Sequence, residues 1–130
     1  MPYHFEFDSE SRILLLAYEG EVQGGEIAEA NHDMAQHVAR LKPSVGMADL
    51  SGVKTLDVPA DTLRAAARQP SAYEEETPRF IIAPTDYLFG MARMYEIMAN
   101  RPHEKLRVVR SRKEALAALG VREAKFERLE

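Results

Sequence analysis

The stretch Val45-Gly-Met-Ala-Asp-Leu-Ser-Gly-Val-Lys-Thr-Leu-Asp-Val-Pro-Ala60 decides the fold that the sequence predicts. Its first residues form an apolar run typical of a strand buried on both faces, and we expect the turn formers Asp49 to Gly52 to end that strand. Pro59 suits the first turn of a helix, because its ring fixes φ and a first turn does not need its missing N–H. The stretch therefore predicts a buried strand, a loop and a helix start, with partners expected at the loop.

Composition indicates one ordinary globular domain. The chain has 130 residues, of which 45% are hydrophobic and 29% are charged. We predict a single domain over residues 1–120 and a charged C-terminal tail over residues 121–130. The net charge of -4 opposes nucleic-acid binding, which normally requires a basic surface. The sequence has no cysteine and no apolar run long enough to span a membrane, so we expect a cytoplasmic protein without a transmembrane segment.

Alternation and apolar runs predict the remaining elements. We expect strands near residues 3–8, 12–19, 80–83 and 105–110, helices over 26–41, 59–69, 86–100 and 112–119, and frayed helix from residue 121 onward. The predicted order is ββαβαβαβα. This order implies an α/β fold with a mostly parallel sheet, in which the N-terminal strand is antiparallel to the second strand.

The helix predicted over residues 86–100 has an unusually wide apolar face. Its apolar residues cover about 160° of a helical wheel, whereas packing on a sheet requires a stripe of about 100°. These residues are Tyr87, Leu88, Met91, Ala92, Met94, Tyr95, Met98 and Ala99. Because the face is wider than one sheet needs, we predict that part of it contacts a second copy of the chain in a homodimer.

The order of elements and two local motifs carry a resemblance to a known fold. The run from Asp49 to Asp57 resembles the third-strand region of STAS domains, the fold of anti-sigma-factor antagonists. The run Phe89-Gly-Met-Ala-Arg-Met94 resembles one that recurs in SpoIIAA-like proteins, an uncharacterised branch of that superfamily. The resemblance covers about Tyr3 to Leu119. It implies a STAS-like protein-interaction or regulatory module with a protein partner that the sequence does not identify.

One departure from the antagonists affects the predicted mechanism. In the antagonists the third strand is followed by Asp-Ser-Ser-Gly, and a partner kinase phosphorylates a serine in that run. The corresponding run here is Asp57-Val58-Pro59-Ala60, in which neither Val58 nor Pro59 has a hydroxyl. We therefore predict a module without this phosphorylation switch. Its candidate binding residues, called the strand-end surface below, are Ser51, Thr55, Asp57, Val58, Thr85, Asp86 and Phe89.

A second hypothesis is that the protein binds a small apolar molecule or a lipid. The fold also resembles that of SEC14-type lipid-binding domains. The flexible side chains of Met91, Met94 and Met98, together with Tyr87 and Tyr95, could adapt to an apolar ligand. The same side chains equally suit a protein core or a subunit interface.

Catalytic motifs are weak in this sequence. Glu29, His32, Asp33 and His37 lie close together on one predicted helix, and the last two have a spacing that could hold a metal. A solvated helix face is the simpler interpretation, because no further group of ligands accompanies them. The sequence also has no Gly-x-Ser-x-Gly elbow and no glycine-rich phosphate loop. We therefore expect no enzyme activity, no metal and no cofactor.

Overall fold

The structure is a computed structural model that describes residues 2–74, 76–99 and 105–129. These residues form one six-stranded sheet, in the order β5-β4-β3-β2-β1-β6, and four helices. The elements follow one another along the chain as β1 (Tyr3–Asp8), β2 (Ile13–Gln23), α1 (Gly24–Leu41), β3 (Val45–Asp57), α2 (Ala60–Arg68), β4 (Arg79–Ile82), α3 (Asp86–Met98), β5 (Leu106–Val109), α4 (Arg112–Leu119) and β6 (Glu127–Arg128).

The sheet confirms the predicted topology. Strands β2, β3, β4 and β5 pair in parallel, each joined to the next by a helix. Strand β1 pairs antiparallel with β2 across a short turn, with Tyr3 opposite Tyr18 and Asp8 opposite Ile13. The fold is therefore the predicted mostly parallel α/β sheet with an antiparallel N-terminal strand.

The helices lie on both faces of the sheet. Helices α1, α2 and α3 lie on one face, called the three-helix face, where Leu16 and Tyr18 of β2 belong to the same core cluster as Ala30 of α1. Helix α4 lies on the opposite face, where Ala115 packs with Leu15 and other buried strand residues. Among the described residues, no helix combines the length and apolarity needed to cross a membrane.

Strand β3 is longer than predicted. We expected a turn at Asp49–Gly52, but the strand continues to Asp57 and pairs with the second half of β2, as far as Gln23 opposite Asp57. The turn prediction was wrong because the polar groups of Asp49 are satisfied inside the sheet. Its carboxylate accepts hydrogen bonds from the Ser51 N–H at 2.9 Å, the Ser51 hydroxyl at 2.6 Å and the Arg112 Nε–H at 2.6 Å.

The C-terminal tail also differs from its predicted structure. Instead of frayed helix, it contains strand β6, which pairs antiparallel with β1, and the Leu129 N–H donates to the Phe5 carbonyl at 2.9 Å. Phe126 packs against the core on the α4 face, with the Arg112 guanidinium 5.5 Å from its ring centroid. The helix prediction was wrong because β1 offers unpaired backbone groups along its outer edge. The division of the chain into a domain and a tail at residue 120 remains a prediction.

The described helices begin and end close to their predicted positions. Helix α1 begins at Gly24, two residues earlier than predicted, and α3 ends at Met98. Asn100, the predicted last residue of α3, lies outside the described residues. Helix α4 is capped by Ser111, whose hydroxyl accepts from the Glu114 N–H at 3.1 Å, and the Glu114 carboxylate accepts from the N–H of the preceding residue, Arg110, at 2.9 Å.

Candidate functional site

An apolar cavity of about 150 Å³ lies between the sheet and the helices of the three-helix face. Its lining consists mainly of aliphatic, methionine and aromatic side chains. The lining residues are Leu16, Tyr18, Val22, Ile27, Asn31, Met34, Gly46, Met47, Ala48, Leu50, Leu56, Leu63, Tyr73, Arg79, Phe80, Ile81, Met91, Ala92, Tyr95 and Leu106. An apolar cavity of this volume can hold a molecule about the size of benzene.

Small residues on two elements leave the space open. The space over Gly46 is filled by the Tyr73 ring, but β3 also contributes Ala48 to the lining, and α3 contributes Ala92, which is buried. Larger side chains at these positions would bring the core to its usual density, in which voids larger than a water molecule are few. The cavity therefore follows from short side chains on two packed elements, and the flexible thioethers of Met34 and Met91 can adjust to its contents.

Tyr73 packs closely against the sheet beside the cavity. It lies between α2 and β4, it is buried, and its ring reaches Gly46, where a Cβ would stand 2.6 Å from the Tyr73 hydroxyl oxygen. Burial raises the pKa of the Tyr73 phenol, and the nearby positive charge of Arg79 acts in the opposite direction. Arg79 is the residue of β4 that pairs with Gly46 in the sheet register. Tyr73, Gly46 and Arg79 are thus close neighbours, although they come from separate segments.

The polar groups of the cavity lining are better suited to binding than to proton transfer. Burial raises the pKa of the Tyr18 phenol, and the nearby Tyr95 raises it further, so Tyr18 and Tyr73 both stay protonated at neutral pH. Among the described lining residues, Arg79 carries the only formal charge, and there is no carboxylate, histidine, serine or threonine. The described lining therefore supplies hydrogen-bond donors and one cation, but no base near neutrality.

A more polar groove adjoins the cavity. It contains about 500 Å³ of space between α1, α2 and the segment over residues 69–72. Its polar lining includes Asn31, His32, Gln69 and Ser71. Five residues line both spaces, namely Ile27, Asn31, Met34, Arg79 and Tyr95. The groove therefore lies directly outside the cavity, with Arg79 at the boundary between them.

The strand-end surface is divided between exposed and packed residues. Ser51, Thr55 and Asp57 are exposed, but they belong to strand β3 and not to a loop. Val58 is only 7% exposed and is part of the core. Ser51 and Thr55 are therefore accessible at the surface, whereas Val58 is not part of it.

The other part of the strand-end surface lies at the start of α3. Thr85 caps that helix by accepting from the Leu88 N–H at 3.2 Å, and Asp86 accepts from Arg110 Nη1 at 2.9 Å. Phe89 is half-buried, with the Arg110 guanidinium 4.0 Å from its ring centroid. These contacts give all three residues a structural role at the helix start.

Tyr87 brings the two parts of the strand-end surface together. Its hydroxyl donates to the Leu56 carbonyl of β3 at 3.1 Å, and the residue is 61% exposed. Met94 and Ile97 of the same helix are 42% and 66% exposed. The wide apolar face predicted for this helix is therefore shared between the core and the exposed residues Tyr87 and Met94. Ile97, which lies outside that predicted face, completes an exposed apolar side formed by Tyr87, Met94 and Ile97.

The acidic and histidine residues of α1 help that helix to pack on β1. The Tyr3 hydroxyl donates to Asp33 at 2.6 Å and to Glu29 at 3.1 Å, and the His37 ring lies 4.6 Å from that of Phe5. Burial lowers the pKa of His37, the neighbouring Arg40 lowers it further, and Asp33 opposes this shift. Among the residues that the structure describes, no three histidine, aspartate or glutamate side chains are placed to hold a metal ion.

Sequence reasoning missed the residues that define the cavity on the β4 side. Neither Tyr73 nor Arg79 was among the candidate binding residues. A signal was available in the small residues Gly46 and Ala48, which lie two positions apart and therefore on the same face of β3. Together with the wide apolar face of α3, these residues indicate space between the strand and the helix.

Comparison with known proteins shows a fold but no sequence relative. The sequence matches no protein-family model, and it matches no curated protein. The structure is similar to the crystal structure of an uncharacterised protein of the DUF3478 family from Shewanella loihica PV-4, which has a SpoIIAA-like fold. The TM-score is 0.57 at 15% sequence identity, and the match covers 90% of this chain and 91% of the other. The chain therefore has a SpoIIAA-like fold, as the resemblance implied.

Proposed function

We propose that the protein binds a small apolar molecule in the cavity of the three-helix face and makes or breaks no bond in it. The observation that carries this proposal is the cavity itself, about 150 Å³ of space with a mostly apolar lining inside an otherwise packed domain. The neutral phenols of Tyr18 and Tyr73 support a binding role, because a phenol with a raised pKa is a poor base near pH 7.

The size of the cavity sets the affinity to expect for a simple ligand. Burying about 200 Å² of apolar ligand surface contributes about 5 kcal/mol at about 25 cal/mol per Å². This free energy corresponds to a Kd of about 0.2 mM. Experiments with simple apolar probes should therefore use millimolar ligand, and a natural ligand that also makes polar contacts would bind more tightly.

A cavity-filling substitution tests the proposal. Ala48→Leu places extra volume in the cavity, whereas Ala118→Leu adds the same volume to an exposed position on α4, on the opposite face. Toluene binding is followed by amide chemical shifts. The wild type and Ala118→Leu should bind toluene equally, and Ala48→Leu should bind at least about tenfold more weakly while remaining folded. Equal binding by all three proteins would show that the cavity is not the site.

The exposed side of α3 favours a second function, contact with another protein. Tyr87, Met94 and Ile97 present three large apolar side chains on one helix. Clustered exposed apolar groups are typical of interaction surfaces, and a STAS-like interaction module is also what the sequence resemblance implies. We propose that this side of α3, next to the strand-end surface, contacts a protein partner, and a second copy of the chain is one such partner.

Two measurements test this second function. Sedimentation equilibrium at micromolar concentration should give a dimer mass for the wild type and a monomer mass for Ile97→Lys if the partner is a second copy. If the wild type is a monomer, cross-linking in native cell extract tests a different partner, with Ala118→Lys on α4 as the matched control. Retention of the same cross-linked proteins by Ile97→Lys would exclude this side of α3.

A further inference from the structure

Two buried phenols line the cavity without an acceptor for their hydroxyl groups. Tyr18 and Tyr73 are 7% and 8% exposed, and both belong to the cavity lining. The hydrogen bond that Tyr73 makes comes from its backbone N–H, which donates to the Ser71 hydroxyl at 3.1 Å. Among the residues that the structure describes, none accepts a hydrogen bond from either phenol. A buried hydroxyl normally has a partner, so these two require an explanation.

Tyrosines outside the cavity lining do have acceptors. The Tyr3 hydroxyl donates to the Asp33 carboxylate at 2.6 Å, and the Tyr87 hydroxyl donates to the Leu56 carbonyl at 3.1 Å. Neither Tyr3 nor Tyr87 lines the cavity. The phenols that lack an acceptor therefore lie where a bound molecule would supply one.

Tyr18 is the better placed of the two donors. It follows Leu16 by two residues on β2, so both side chains lie on the same face of the strand, and both line the cavity. The Tyr73 hydroxyl is held against Gly46, which leaves it little room to turn toward a ligand. Burial raises the pKa of the Tyr18 phenol, so its hydroxyl remains a donor at neutral pH.

We infer that the ligand is a small neutral carbonyl compound, whose apolar part fills the cavity and whose carbonyl oxygen accepts a hydrogen bond from the Tyr18 hydroxyl. This inference rests on the proposed function and adds the polar group of the ligand. The apolar part is about one aromatic ring or a short branched alkyl group, because the cavity has a benzene-sized volume. A carbonyl oxygen accepts without donating, whereas an alcohol would add a donor to a lining in which donors already lack acceptors.

The lining favours a neutral ligand over a charged one. An ion buried in apolar surroundings needs an opposite charge to offset its loss of hydration. The described lining contains no carboxylate that could pair with a cation. Its one positively charged residue, Arg79, already has a contact of its own, so its charge is not assigned to the ligand.

The test uses two probes of nearly the same shape, acetophenone and α-methylstyrene, in which a C=CH₂ group replaces the C=O group. Amide chemical shifts follow the binding of each probe to the wild type, Tyr18→Phe, Tyr73→Phe and Tyr3→Phe. Tyr3→Phe is the matched control, because Tyr3 is also buried but lies outside the cavity lining. Acetophenone labelled at its carbonyl carbon reports the hydrogen bond directly, since a donor moves the carbonyl resonance downfield.

Tyr18→Phe should bind acetophenone about three- to tenfold more weakly than the wild type, the effect of one neutral hydrogen bond. The same variant should bind α-methylstyrene at least as tightly as the wild type, which also shows that it is folded. Tyr3→Phe should bind both probes like the wild type. In the wild type the carbonyl resonance of bound acetophenone should lie downfield of its position in cyclohexane, and Tyr18→Phe should abolish that shift.

Three outcomes would overturn the inference. Unchanged acetophenone binding in Tyr18→Phe would remove the hydrogen bond while leaving the apolar site intact, provided that the wild type binds α-methylstyrene. Selective weakening of acetophenone in Tyr73→Phe but not in Tyr18→Phe would show that the donor is misassigned. If Tyr18→Phe does not fold, a bound carbonyl resonance at its cyclohexane position in the wild type would also refute the hydrogen bond. Failure of the wild type to bind either probe or toluene would reject the proposed function as well.

Discussion

The hydroxyl of Tyr73 lies against the backbone of Gly46, where a side chain would have to occupy the same space. A Cβ on residue 46 would stand 2.6 Å from the Tyr73 hydroxyl oxygen, which is closer than real Cβ contacts come. Glycine at position 46 is therefore required for the close approach of the Tyr73 ring, and not for an unusual backbone conformation. This contact holds Tyr73 beside Arg79 at the boundary of the cavity.

The first prediction concerns this contact. Gly46→Ala should lower the free energy of unfolding by about 1–3 kcal/mol, because the new methyl group overpacks a buried position. Urea unfolding measures the change. In a Tyr73→Leu background, which removes the ring and its hydroxyl, the same substitution should cost clearly less. Equal costs in both backgrounds would mean that the two residues do not contact each other in solution.

The second prediction concerns the ion pair between Asp49 of β3 and Arg112 of α4. Asp49 is 4% exposed, and the Arg112 Nε donates to its carboxylate at 2.6 Å. Arg112→Met should destabilise the protein by about 2 kcal/mol, because a buried carboxylate loses its charged partner while Arg112 itself is partly exposed.

Arg64→Met provides the control for that ion pair. Arg64 pairs with Asp61 at 2.9 Å, but both side chains are largely exposed, so its loss should cost less than about 0.5 kcal/mol. If urea unfolding gives the two variants the same stability, the pair between Arg112 and Asp49 contributes no more than an ordinary surface pair.

The third prediction concerns pH. Burial and Arg40 lower the pKa of His37 below its ordinary value of 6.5, so the folded state favours the neutral ring. The unfolded chain therefore binds more protons in this range, and stability from His37 is present above about pH 6.5 and is lost as pH falls through the folded pKa. The wild type should lose stability more steeply than His37→Gln between pH 7 and pH 5. Parallel stability profiles would contradict the packing described for His37.

The fourth prediction tests whether the C-terminal tail belongs to the domain. Phe126 packs on the α4 face and Leu129 packs on the opposite core cluster. Phe126→Ala should cost about 1–2 kcal/mol, and removal of residues 121–130 should cost more, because both apolar contacts and the pairing of β6 are lost. An unchanged free energy of unfolding after truncation would support the division at residue 120.

Local patterns were sufficient to predict most of the elements. The alternation of Tyr3, Phe5 and Phe7 predicted β1, because a strand with one buried face is apolar at every second residue. The consecutive apolar residues of β2 predicted an interior strand, because both faces of such a strand are buried. The order of strands and helices then limited the topology to a mostly parallel sheet. These features could be predicted because neighbouring residues determine them.

Features that depend on distant partners could not be predicted in the same way. Asp49 was interpreted as a turn residue because its partner Arg112 is 63 positions away in the sequence. Strand β6 has only two residues and forms against β1 at the other end of the chain. The cavity depends on Gly46, Tyr73 and Arg79 meeting across separate segments. In each case tertiary contacts outweigh local propensity.

Methyl spectra of methionine during a toluene titration test the proposed cavity site most directly. Met34 and Met91 line the cavity on the three-helix face, whereas Met94 and Met98 of α3 do not, so the protein contains its own controls. We predict saturable shifts of the two cavity methyl groups at millimolar toluene, with little change at Met94 and Met98. Unchanged cavity methyl groups, or shifts of equal size at Met94, would contradict this prediction.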